Sequence, residues 1–144
     1  MIGGKMNGNI LKDYSLYPGG IEVGYALKEL RENFARGNYL SVILLGGMII
    51  ERQLVGRLRA QGWNASRRMK SILAAALSFG FITGEEKARL THLRHLRNAY
   101  LHFRDRQHGA SLLYRGLQSE KAHEDIMRQD ASLVISFVER NIML

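Results

Sequence analysis

An all-α fold, an up-and-down helical bundle of about four core helices plus one short helix, is what this sequence predicts, and three observations carry the prediction. Apolar residues recur at intervals of three and four along most of the chain, and no alternating run is long enough for a strand. The one proline, Pro18, precedes every periodic segment, so none of them is broken from within. Gly37, Gly62 and Gly80 fall just past the last apolar position of successive segments, where a helix ends with least strain. At 144 residues, 46% of them hydrophobic, the chain suits a single domain around one core.

Residues 1–20 contain Gly3, Gly4, Gly8, Gly19 and Gly20 with Pro18 and no sustained apolar period. They are expected to form a flexible extension ahead of a helical domain over residues 21–144. The first helix starts at Ile21 and aligns Val23, Leu27, Leu30 and Phe34; Gly37 ends it and Asn38 caps the next. The second is the longest, with Tyr39, Val42, Ile43, Gly46, Ile49, Ile50, Gln53, Leu54, Arg57 and Leu58 on one face before Gly62. Gly46 and Gly47 in its middle imply either a backbone passing close by or a local kink. A third helix begins at Asn64 or Ser66, buries Met69, Ile72, Leu73, Ala76 and Leu77, and stops at Gly80. Thr83-Gly84-Glu85-Glu86 has the T-x-x-E form of a capping box, so a fourth helix starts there and runs towards Asp105. Residues 106–121, with Gly109 and Gly116, lack a clear period and read as a long connection. A last helix presents Ile126, Leu133, Val134, Phe137 and Val138.

Composition removes several function classes. Without cysteine there is no disulfide, no thiolate nucleophile and no cysteine-bound zinc. The most apolar stretch, residues 39–50, is interrupted by Ser41 and Gly46-Gly47 and flanked by Arg36 and Arg52, so it reads as a buried helix and not a membrane span. The first residues show no apolar region followed by a small-residue cleavage site, and a cytoplasmic location is expected. Lysine and arginine number 21 against 13 aspartates and glutamates, a formal charge of +8 that points to a polyanionic partner, nucleic acid first. Arg52, Arg57, Arg59, Arg67, Arg68 and Lys70 gather around the end of the second helix. They form either a solvated helix end that complements the dipole or a set of RNA-backbone contacts. Trp63, between Gly62 and Asn64, either plugs that junction or stacks on a base.

The residues that carry chemistry lie in Leu93-Arg94-His95-Leu96-Arg97-Asn98-Ala99-Tyr100-Leu101-His102. Arg97 is a permanent cation whose planar fork suits phosphate, and a histidine such as His102 exchanges its proton near neutral pH. On an unbroken helix the two stand about 140° apart and about 7.5 Å apart along the axis. Asn98 and His102 share a face at i, i+4, so the amide is placed to orient the imidazole. Arg94, Arg104 and Arg106 add cations beside the pair, and Tyr100 sits inside the spacer; these four are candidate substrate contacts, although the ring of Tyr100 suits packing as well. Arg97 has an alternative as a helix-to-helix ion pair with Glu51 or Glu124. His92, His95 and His102 do not make a metal site, because His102 lies about 10 Å beyond His95 along the axis and no carboxylate sits among them. No metal or cofactor is expected.

At Arg97-Asn98-Ala99-Tyr100-Leu101-His102 the chain resembles the HEPN family (higher eukaryote and prokaryote nucleotide-binding domains), marked by an arginine, four to six residues and a histidine, often with a polar residue directly after the arginine. The Leu-x-x-Leu-Arg rhythm over residues 93–97, the late position in a helical chain and the long apolar helix upstream are similar too, and the resemblance covers residues 21–140. It implies a homodimer whose motif helices face each other across a cleft and act as a metal-independent endoribonuclease, the RNA 2′-hydroxyl attacking the adjacent phosphate. His102 would then be general base or acid, Arg97 would stabilise charge on the phosphoryl oxygens, and Asn98 would position phosphate or ring. A toxin-like or RNA-processing role in prokaryotic defence follows, with an antitoxin or nucleotidyltransferase as partner. Toxin-type members often carry tyrosine two places after the histidine, as a site of modification; here that position is Arg104, which puts this form of control in doubt. The other reading is a non-catalytic dimeric helical module that binds RNA or a nucleotide.

Overall fold

The computed structural model describes residues 17–102 and 109–142, and every regular element among them is helical. Six α-helices follow one another: α1 Ile21–Ala35, α2 Tyr39–Ala60, α3 Met69–Ser78, α4 Gly84–Leu101, α5 Leu112–Ser119 and α6 His123–Phe137, which a π-helical turn, Val138–Ile142, extends. The predicted all-α bundle is therefore observed, with one helix more than expected.

The additional helix is α5, which lies inside the stretch read as a connection. Ser111 caps it by accepting the Tyr114 N–H at 3.1 Å, a local signal that needs no apolar period. With eight residues, and with Leu113 and Leu117 turned to solvent, α5 is too short and too exposed to announce itself by periodicity.

The bundle is built around α2, which contacts α1, α3, α4, α6 and the π-helical turn. By length and composition alone this helix is apolar enough to cross a bilayer; its role as shared packing partner of four others accounts for that character. Leu27 and Leu30 of α1, Ile43, Ile49 and Leu58 of α2, Ile72 and Leu73 of α3 and Leu90 of α4 are fully buried together. Two expected core positions differ: Leu77 and Leu133 face outward, and the buried stripe of α6 runs through Ile126, Asp130, Ala131, Val134 and Phe137.

Gly46 and Gly47 are explained by side chains, not by a passing backbone. A Cβ on Gly46 would overlap Val134 of α6, and one on Gly47 would overlap the Arg97 side chain of α4. The close backbone approach occurs one helical stretch later, at Gly56, where a Cβ would overlap the Pro18 carbonyl. Residues 17–20 are accordingly a docked strap and not part of a loose extension. The Gly19 N–H donates to Gln53 Oε1 and Arg52 Nε donates to the Gly19 carbonyl, each at 2.9 Å. Residues 1–16 lie outside the described part of the chain.

Boundaries of α3 and α4 place the site. Ser66 accepts the Arg68 N–H at 3.1 Å in a turn just ahead of α3, so the helix begins at Met69, later than Asn64 or Ser66. The capping box of α4 forms as read: Thr83 Oγ1 accepts from Glu86 N–H at 3.1 Å, and Glu86 Oε1 accepts from Thr83 N–H at 2.9 Å. The helix stops at Leu101, well short of Asp105.

Candidate functional site

The last turns of α4 hold the motif. Leu90, Leu93 and Leu96 bury one face of the helix against the core, which carries Arg94 and Arg97 to the rim of that face. Arg97 lies across Gly47 and reaches towards Glu51 of α2, with Nη1 to Oε2 at 3.5 Å. That distance is longer than the roughly 2.7–2.9 Å of a direct charge-assisted bond, so the pair is loose. The Nε–H groups of both Arg94 and Arg97 are buried without a hydrogen-bond partner, beside a cavity of about 20 Å³ that both side chains line with Gly47 and Leu93. Both Nε–H groups are enclosed by the fold, so it is the terminal nitrogens of these two guanidinium groups, on adjacent turns, that carry positive charge towards the rim.

His102 is the C-cap of α4. It is exposed, its backbone is extended (φ −117°, ψ 146°), and its N–H donates to the Asn98 carbonyl at 2.9 Å. The helix-face relation expected between the Asn98 amide and the His102 ring therefore does not apply: the helix ends one residue before His102, and the contact between the two residues is through backbone. Asn98 itself is half-buried. Arg104 and Arg106, the two flanking cations proposed from sequence, lie outside the described residues.

Tyr100 has a structural partner instead of a free face. Its hydroxyl donates to Asp130 Oδ2 at 2.8 Å, and Arg115 of α5 grips both oxygens of the same carboxylate at 2.5 and 2.6 Å. Asp130 is 1% exposed. Burial, with the hydrogen bond to Asp130 adding to it, lifts the Tyr100 phenol well above the ordinary tyrosine range; the hydrogen bond to Asp130 likewise raises Arg115. One carboxylate thus joins the motif helix to α5 and α6. Sequence reasoning missed this cluster, yet a signal was there: Asp130 sits four residues from both Ile126 and Val134, on the buried stripe, where a carboxylate needs a cation.

The remaining candidates separate clearly. His92 and His95 are exposed, and among the described residues no three His, Cys, Asp or Glu side chains gather closely enough to hold a metal ion. Of Arg97's two suggested carboxylates, Glu51 is the one it meets. Trp63 is half-buried against the core between α2 and α3, as a plug. Within the basic cluster, Arg52 also pairs with Glu22 at 3.0 Å and Arg57 lies 4.3 Å from the centre of the Phe81 ring. Comparison of the chain with protein-family models, with curated proteins and with solved structures yields no match.

Proposed function

We propose that this protein is a metal-independent endoribonuclease of the HEPN type, acting as a cytoplasmic homodimer in a toxin-like or RNA-processing role. The observation that supports it best is the state of Arg97: a cation on the last turns of α4, loosely held by Glu51, just ahead of the exposed His102. A guanidinium held only loosely by one carboxylate can donate from its terminal nitrogens to a phosphoryl oxygen, and an exposed imidazole is free to take and return a proton.

In the reaction the 2′-oxygen bonds to phosphorus while the bond from phosphorus to the 5′-oxygen breaks. The proton leaves the 2′-hydroxyl for a base and another reaches the departing 5′-oxygen, work assigned to His102. Arg97 stabilises charge on the non-bridging oxygens, with Arg94 beside it. The products are a 2′,3′-cyclic phosphate and a 5′-hydroxyl, and DNA is not cut because it lacks the nucleophile.

The test is incubation of the purified chain with mixed RNA in chelator, followed by analysis of the product ends. His102→Ala is the informative variant because its side chain is exposed, and it should slow cleavage by roughly 10²–10⁴ without loss of fold. Arg97→Ala is read alongside with its stability measured. Equal cleavage by wild type and His102→Ala refutes the reading. The second reading, a dimeric RNA- or nucleotide-binding module without catalysis, is favoured by the packing of Arg97 over Gly47, which gives that arginine a structural use. RNA binding with no cleavage would establish it.

A further inference from the structure

A groove of about 630 Å³ runs along α2 beside the N-terminal strap. Pro18 and Gly19 form one wall, Met48 and Val55 line its apolar part, and Arg59 and Arg67 stand at one end with Glu51 at the other. We propose that this groove carries the phosphodiester backbone of single-stranded RNA towards Arg97, with Arg59 and Arg67 as its phosphate contacts; the assignment of the far end rests on the nuclease reading of Arg97 and His102.

Three observations lead there. Arg52 and Arg57 are committed within the fold, whereas Arg59 and Arg67 are exposed and their side chains have no ion pair or hydrogen bond to any described residue. Glu51, the carboxylate among the groove's lining residues, is also the group that Arg97 meets at 3.5 Å, so the groove and the candidate catalytic arginine lie on either side of one side chain. Arg59 follows Glu51 by eight residues on one helix, about 12 Å along its axis. That span is beyond a single phosphate and suits a polymer of several nucleotides.

The experiment measures binding of a labelled, mixed-sequence single-stranded RNA to the full chain by fluorescence anisotropy, in chelator, across a salt series starting near about 50 mM. The groove variant is Arg59→Ala with Arg67→Ala; the charge-matched control is Arg89→Ala with Arg128→Ala, two exposed arginines elsewhere. Each lowers the formal charge from +8 by two, to +6. Each phosphate contact contributes roughly 0.7 to the slope of log affinity against log salt for single strands, so the groove variant should lose about 1.4 from that slope. The control should keep the wild-type slope. Equal slopes for groove variant and control, or no RNA binding by wild type at the lowest salt, overturns the proposal.

Cleavage keeps the two ideas apart. A dinucleoside monophosphate is too short to reach Arg59 from Arg97, so the groove variant should cut it at the wild-type rate while His102→Ala does not. If His102→Ala cuts as wild type does, the nuclease reading fails, and the slope comparison still decides whether RNA follows the groove.

Discussion

Replacing Asp130 by asparagine keeps the side chain's shape and removes its charge, which isolates the contribution of the carboxylate that joins α4, α5 and α6. In the native protein that carboxylate accepts three hydrogen bonds, two from Arg115 and one from Tyr100. The amide offers only one oxygen, and its NH₂ must face a donor. Breaking a buried ion pair from one side costs about 3–5 kcal/mol. The Arg115 side chain is 24% exposed and regains some hydration, so the lower end, about 3 kcal/mol, is expected. For a chain of this size that corresponds to a fall in Tm of roughly 6–12 °C. Urea unfolding followed by far-UV circular dichroism measures it. Tyr100→Phe, which removes one of the three bonds, should cost only about 1–2 kcal/mol. The double variant should fall short of the sum of the two, because both act on one carboxylate. A loss below about 1 kcal/mol for Asp130→Asn would show that the cluster does not tie the three helices together.

Two further outcomes follow from the same packing. The adjacent substitutions Gly46→Ala and Gly47→Ala should separate: the first forces Val134 aside in the core, an overpacking cost of about 1–3 kcal/mol against about 1 kcal/mol gained in helix propensity, and lowers stability in thermal melts. The second displaces only the flexible arm of Arg97, so Tm should hold; under the proposed nuclease reading, RNA cleavage should drop at least about tenfold, about 1.4 kcal/mol in barrier. At alkaline pH the folded protein keeps the Tyr100 proton to higher pH than the unfolded chain, so stability should fall as pH rises above the ordinary tyrosine value of about 10. Tyr100→Phe should flatten that decline in urea titrations at a series of pH values; an unchanged slope refutes the assignment.

The helices legible from sequence were those with a long apolar stripe or a paired side-chain cap. Leu27, Leu30, Ile43, Leu54 and Leu58 repeat at intervals that only a helix aligns, and Thr83 with Glu86 marks a start by chemistry alone. Helix α5 was hidden because its anchor is not apolar: Arg115 holds it through Asp130, a contact 15 residues away that no local pattern encodes. The site was legible as a set of residue types and illegible as geometry. The spacing of Arg97, Asn98 and His102 gives one arrangement on a continuous helix and another once the helix ends at Leu101, and no glycine or proline marks that end. The sequence offers Arg97 both Glu51 and Glu124, and choosing between them requires knowing that Gly47 lets the arginine cross α2.

Tyr100 at the end of α4 and Arg115 in the first turn of α5 hang from a single acceptor on α6. The two helix ends are therefore cinched together like the mouth of a purse, with His102 two residues past the drawstring. Closing a loop grows costlier only slowly with its length, about 0.6 kcal/mol for each doubling, far less than a buried ion pair is worth. The knot at Asp130 therefore decides how close the ends of α4 and α5 lie, whatever the length of chain that joins them. His102, two residues past Tyr100, is moored beside that knot while its side chain stays exposed.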